Sequence, residues 1–380
     1  MQTTPLLSGT GITAVTWCRA SPLCHRDIDT IIRLKRTYDA VLVFLLPLAG
    51  GRVTLAAQVK LFRLTFADET GVVGVPLAGA TTMGTAAELT TAIVMQLAQH
   101  FKQQPASLAF TPGEWADDTA LDEAATDLLT QAKQALPETS CQMDRSVIMA
   151  HDAFRQQVEA QPLKYWAQIA PQFRCRYKLN VAIVGGASTG KTTLVQDLSR
   201  YYAVPTSTEY ARQYQPARNV MDEELDSRDF RAILEGQYDH NRAVIEDPFA
   251  PGLFISDTET LTSATYLQLM LPGHFARLEP VIADLVARSH WDLILVVPPQ
   301  APFVDDGYRA VTQADEQWRQ TYDRALQALL PQYYAPAKMM LLDAAPNPAH
   351  HDPYGYYARF NQAVRVIDAA MAQGRATNEW

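Results

Sequence analysis

The chain has 380 residues, 48% of them hydrophobic and 19% charged, a length that calls for two cores and a composition that excludes long-range disorder. Its 41 acidic and 32 basic residues leave a formal charge of −9, the wrong sign for binding a phosphate backbone, so no nucleic-acid partner is expected. Cys18, Cys24, Cys141 and Cys175 form no CxxC pair and read as reduced structural thiols rather than a zinc site.

No basic-then-apolar leader opens the chain, and its longest apolar run, Ala40 to Leu46, stops at Pro47. A cytoplasmic protein without a membrane span is expected. In chain order, Ile12 to Trp17 and Ala40 to Leu46 read as buried strands around a helix from Ile28 to Arg36, a βαβ opening. Val72 to Val75 continues as strand and Thr85 to Phe101 as helix, and Gln103 to Asp118, with two prolines and a glycine, reads as a loop. The composition turns polar and basic near Gln172 to Lys178, and the domain boundary is placed there, giving domains 1–172 and 173–380. Beyond it come a strand at Leu179 to Val184, helices at Lys191 to Tyr202 and Ser227 to Ile245, a strand at Leu253 to Ser256 and a helix at Ala276 to Arg288. A strand at Leu293 to Val297, a helix at Gln317 to Leu330 and a strand at Lys338 to Leu342 follow. The expected fold class is α/β, with two doubly wound parallel sheets.

Gly185-Gly186-Ala187-Ser188-Thr189-Gly190-Lys191-Thr192 satisfies GxxxxGK[ST] between an apolar strand and a helical pattern. In that setting backbone N–H groups point at phosphate oxygens, the helix N-terminus adds its dipole, Lys191 supplies a charge and Thr192 offers a hydroxyl to Mg²⁺. The implied ligand is a nucleoside triphosphate.

Asp257 closes a strand, where a Mg²⁺-holding acid sits beside such a loop; the other reading of Asp257 is a helix N-cap. Glu209 and Arg212 stand one helical turn apart and read either as site residues or as a surface ion pair. Arg309, in a polar segment after a strand, suits a lid over the transferring phosphoryl group or a solvated surface position.

These motifs resemble the NadR family, which joins a nicotinamide mononucleotide adenylyltransferase domain to a ribosylnicotinamide kinase domain. Pro162-Leu163-Lys164-Tyr165-Trp166 is similar to the family's linker, Gly185 to Thr193 to its phosphate loop and Thr208 to Arg212 to its E-Y-x-R segment. Asp257-Thr258-Glu259 is similar to its D-T-[DE] strand end, and Phe303 to Arg309 to its lid entry. The resemblance implies ATP- and Mg²⁺-dependent phosphorylation of nicotinamide riboside, with Lys191, Asp257, Glu209 and Arg309 catalytic. It also implies that Glu209, Tyr210, Arg212 and Glu259 contact substrate and that Thr192 and Asp257 bind metal. Tyr210, Tyr238, Tyr266 and Trp291 are candidate aromatic walls for the cationic ring, or core residues. The family also implies a riboside permease as metabolic partner, and the sequence leaves a homo-oligomer open.

The first half departs from that family. Its P-x-H-x-G-H signature reads Pro22-Leu23-Cys24-His25-Arg26-Asp27 here, and its I-S-x-T-x-[IV]-R signature reads Met149 to Arg155, with Ala150 and Asp152 in place of the hydroxyls. Asp27 and Asp152 are expected to repel a triphosphate, so this domain is expected to be catalytically inactive, with His25 the one residue able to rescue a contact. His151 reads as structural. The alternatives are a bifunctional enzyme that retains adenylyl transfer and an ATP-responsive regulator. The first strand begins near Ile12, which leaves no room for the helix-turn-helix that regulation of transcription would need.

Overall fold

The computed structural model describes residues 11–48, 50–77, 85–100, 107–111, 121–145, 152–303, 315–346 and 352–373. The chain divides between Tyr177 and Lys178 into two compact units. Each is an α/β structure around a five-stranded sheet in which every pairing is parallel. Phe173 and Tyr177, beyond the sequence boundary at 172, pack into the core of the first unit.

The first sheet contains β1 (Ile12–Cys18), β2 (Ala40–Leu45), β3 (Val72–Pro76), β4 (Ser107–Phe110) and β5 (Ser140–Met143), in the order β3-β2-β1-β4-β5. Helices cover both faces, so β2 is buried at every residue and reads as an unbroken apolar run. On one face α1 (His25–Thr37) and α2 (Leu55–Thr65) contribute Ile31, Leu34 and Phe62 to a cluster that Val158 of α5 (Asp152–Ala160) joins. On the other face α3 (Ala86–His100) and α4 (Leu121–Ala135) set Ile93, Leu97 and Leu128 against Val15 and Trp17.

The segment 103–118 is not simply a loop, because β4 lies within it and pairs with both β1 and β5. Four residues between Pro105 and Pro112 are too few to display a period, and it is the strands on either side that hold them extended.

The second sheet contains β6 (Leu179–Val184), β7 (Thr206–Ser207), β8 (Leu253–Asp257), β9 (Leu293–Val296) and β10 (Met339–Leu341), in the order β10-β9-β6-β8-β7. The fully buried β6 is central, with Ile183 opposite Asp257 on one side and Leu295 on the other. Its helices are α6 (Lys191–Tyr202), α7 (Ala211–Arg218), α8 (Ser227–Glu246), α9 (Thr260–Met270), α10 (Pro272–Arg288), α11 (Glu316–Tyr333) and α12 (Tyr356–Gln373).

The ends of α8 are both satisfied. Asp226 accepts from the N–H groups of Arg228 and Asp229, and Lys178 Nζ donates to the carbonyls of Val244 and Ile245 at 2.6 and 2.9 Å. The core sets Phe230 and Leu234 of α8 against Leu261, Ile282 and Tyr322 from three further helices. No cysteine is in a disulfide. Among the described residues no helix is long and apolar enough to cross a membrane.

Candidate active site

The phosphate loop leaves the C-terminal end of β6, the strand from which the sheet grows in both directions and where open α/β sheets form their ligand crevice. Gly185 has φ +157 with a hypothetical Cβ only 2.6 Å from Val297 O, and Gly190 has φ +88, so both positions need glycine. Between them Ser188 takes a left-handed backbone and Thr189 Oγ1 donates to Gly186 O. Helix α6 begins at Lys191, so its unpaired N–H groups face the loop. Lys191 is buried, with Nζ 3.4 Å from Gly186 O and 3.7 Å from Glu209 Oε2.

Two acids converge on this lysine from neighbouring strand ends. Asp257 ends β8; its Oδ2 accepts from Thr192 Oγ1 at 2.6 Å, whereas Oδ1 is buried without a hydrogen-bond partner. A hard cation takes oxygen ligands, and a hydroxyl beside a carboxylate with one idle oxygen fits Mg²⁺. Burial raises the Asp257 carboxyl above its ordinary range; Lys191 opposes the shift and Glu209 adds to it.

Glu209 follows β7 and accepts from Arg212 Nε at 3.2 Å. The i,i+3 pair therefore exists, but Glu209 is buried and also faces Lys191, so it belongs to the site rather than to a solvated surface.

The remaining expected residues are dispersed. The N-cap of α9 is Glu259 rather than Asp257: Oε1 accepts from Leu261 N at 2.8 Å and Oε2 from the Tyr334 hydroxyl at 3.0 Å. Glu259 is fully buried, which pushes its carboxyl up to about 7, and protein donors occupy both oxygens that the resemblance assigns to substrate. Tyr210 stands half-buried, edge-on to His240. Trp291 and Tyr238 are core, and Tyr266 stacks on Trp318. Arg309, with Asp305 and Asp306, lies outside the described residues.

An aromatic wall elsewhere went unread in the sequence. A cavity of about 530 Å³ runs from Gly190 and Thr193 to Tyr201, Tyr356, Tyr357 and Phe360. Tyr356 packs so closely on the phosphate loop that a Cβ at Gly190 would lie 2.3 Å from its ring. The Arg359 guanidinium covers the same ring at 5.1 Å and donates to Gln300 Oε1 at 2.6 Å. The run Tyr354-Gly355-Tyr356-Tyr357 before α12 was the available signal.

In the first unit, Cys24 is the N-cap residue of α1 and His25 and Arg26 are exposed, Arg26 lying over Phe154. Asp27 is not the exposed repulsive acid that its replacement of a histidine suggested. It is fully buried and accepts from Cys24 N at 2.7 Å and from Arg155 Nη1 and Nη2 at 2.8 and 2.6 Å. Its charge is neutralised inside the protein, and so is that of Arg155. Ala150, His151 and the side chain of Asp152 lie outside the described residues.

A glycine-rich loop and helix N-terminus at the switch point of a parallel sheet, with an acid on the adjoining strand end, define a nucleotide-binding P-loop protein. The AAA domain family profile matches residues 180–340. The trifunctional NAD biosynthesis/regulator protein NadR of Salmonella typhimurium is 24% identical over 218 residues, 57% of this chain and 48% of that protein. NadR of Escherichia coli K12 is 26% identical over 156 residues, 41% of this chain and 37% of that protein; the match thus spans half or less of these curated relatives.

Two solved structures match end to end at 26% identity. One, NadR in complex with NR, has a TM-score of 0.80 and covers 98% of this chain and 99% of that one. The other, NadR with NAD and AMP-PNP, has a TM-score of 0.78 and covers 99% and 100%. Over nearly its whole length the chain is thus similar to NadR proteins of known structure.

Proposed function

We propose that the second unit transfers the γ-phosphoryl group of ATP to the 5′-hydroxyl of nicotinamide riboside, forming nicotinamide mononucleotide and ADP, a step of NAD biosynthesis, and that the first unit carries out no adenylyl transfer. The observation that carries the kinase reading is the cluster of Lys191, Thr192, Asp257 and Glu209 at the phosphate loop. Its support is an end-to-end likeness to a NadR structure holding NR and to another holding AMP-PNP.

Phosphoryl transfer needs positioning and charge stabilisation more than covalent chemistry. The loop N–H groups and Lys191 hold the phosphates, and Lys191 must leave Glu209 to do so. Thr192 and Asp257 would hold Mg²⁺, which when bound would offset the negative charge of the phosphates. With Asp257 turned to Thr192, Glu209 is the carboxylate left to orient the riboside hydroxyl and accept its proton. The base of ATP lies in the cavity of Tyr356, Tyr357 and Phe360, because that cavity begins at Gly190 and aromatic faces stack on any base. Arg309 is assigned to the closing lid on the family resemblance.

In the first unit the Asp27–Arg155 pair supports inactivity: the arginine aligned with the family's second signature is committed to a carboxylate aligned with its second histidine. The test is product analysis with ATP, Mg²⁺ and nicotinamide riboside. Mononucleotide and ADP are expected, with turnover down on the order of 10² or more in Lys191→Ala, and no dinucleotide is expected from mononucleotide and ATP. Wild-type turnover in Lys191→Ala would reject the site, and released pyrophosphate with dinucleotide would reject the silent first unit.

A further inference from the structure

Helix α8 buries a conventional apolar face, Phe230, Ile233, Leu234, Tyr238 and Ile245, and among these residues it buries two amides, Gln237 and Asn241. An amide in a core is retained when its hydrogen bonds do something an apolar side chain cannot. The partners of these two are specific. Gln237 accepts from Tyr210 N at 2.8 Å through Oε1 and donates to Thr208 O at 3.4 Å through Nε2. It thereby holds the backbone on both sides of Glu209.

Asn241 does the same around Asp257. Its Nδ2 donates to Thr258 O at 3.3 Å, and its Oδ1 accepts from the Ser207 hydroxyl. The two amides are themselves joined, Gln237 Nε2 to Asn241 Oδ1 at 3.3 Å.

Thr258 shows that this grip is needed. It is fully buried with φ +89, a left-handed conformation that a β-branched residue avoids. Its carbonyl takes both Asn241 and the Ser256 hydroxyl, the latter at 2.5 Å, while its N–H is fixed to Ile183 O at 3.0 Å on the central strand. The reversal at Thr258 separates the two acids of the segment: Asp257 meets Thr192, and Glu259 caps α9 inside the core.

We propose that Gln237 and Asn241 are positioning residues, a paired amide clamp on one face of α8 that fixes Glu209 and Asp257 relative to the phosphate loop, with Asn241 acting by holding Thr258 in its left-handed backbone. The assignment of Asp257 to Mg²⁺ rests on the reading above.

The test is the Mg²⁺ dependence of AMP-PNP binding to the full chain, read by calorimetry, with thermal melting to follow folding. Asn241→Ala is expected to raise the Mg²⁺ concentration for half-maximal binding about tenfold, as for loss of a residue that orients a metal ligand. Adding Thr258→Gly should recover at least half of that on a logarithmic scale, because glycine adopts a positive φ unaided. A merely structural asparagine would leave the Mg²⁺ midpoint unmoved and gain nothing from the glycine. If Asn241→Ala does not fold, Ser256→Ala, which removes the hydroxyl from the same carbonyl, carries the same expectation and the same rescue. A wild-type Mg²⁺ midpoint in the single variant, or no recovery in the double variant, overturns the clamp. A protein that phosphorylates no riboside yet shows the shift and the rescue removes the substrate reading and leaves the clamp standing.

Discussion

Glu259 lies two residues beyond Asp257, and its carboxyl meets the Leu261 and Thr262 N–H groups and the Tyr334 hydroxyl. In the folded chain it keeps its proton up to about pH 7, whereas in the unfolded chain it ionises near 4.5. Between those values the native state holds a proton that the unfolded state has lost. The contribution is therefore full below about 4.5 and disappears as pH rises through about 7, a loss on the order of 3 kcal/mol. Urea midpoints of the ligand-free wild type should fall between about pH 5 and 8 and be flatter in Glu259→Gln; equal slopes would reject this cause. The Asp27–Arg155 pair behaves differently because its charges are matched. Removing one member strands the other in the core, so Arg155→Met should cost about 3–5 kcal/mol, and the double variant Asp27→Asn/Arg155→Met much less. Equal urea midpoints for single and double variants would show that the pair is not the source of the cost.

At the scale of elements, α12 bears on the phosphate loop through one ring. Gly190→Ala brings a Cβ to within 2.3 Å of Tyr356 at a φ of +88, so AMP-PNP affinity should fall more than about tenfold, and by less when the same change is made in a Tyr356→Ala chain, where the stacking loss is already present and only the backbone cost is added. Gly273→Ala, in α10 with nothing within 4 Å, is the matched control and should bind normally. Equal affinity in the double variant and the Tyr356→Ala single variant would mean that the clash alone mattered. The loop itself was legible because its chemistry is local: glycines, Lys191 and Thr192 follow one another, and β6 precedes them as an apolar run. The short β4 was not, since its extended form comes from β1 and β5. Gln237 and Asn241 read as ordinary polar helix positions, and only the fold brings Thr208, Tyr210 and Thr258 to them. Tyr356 and Phe360 were missed for the same reason, their partners on α6 lying far back in the chain. Asp27 misled because a substitution pattern shows what left a site and not what the newcomer pairs with.

Across the whole molecule, each unit builds its sheet outward from the strand that enters it first, β1 in one and β6 in the other. For the second unit this order has a consequence during synthesis. When β6 emerges from the ribosome, every strand of the first sheet has already been made, and that unit is free to close. β6 itself has no neighbour yet: Ala182 must wait for Ser256 on one side and Ile294 on the other. About a hundred residues separate β6 from β9, and at about 5–20 residues per second the nascent chain carries the apolar segment Val181 to Val184, with the phosphate loop attached, incompletely paired for roughly 5–20 s. The strand that makes the nucleotide site rigid in the finished protein is thus, during translation, open to chaperones and to pairing with other chains.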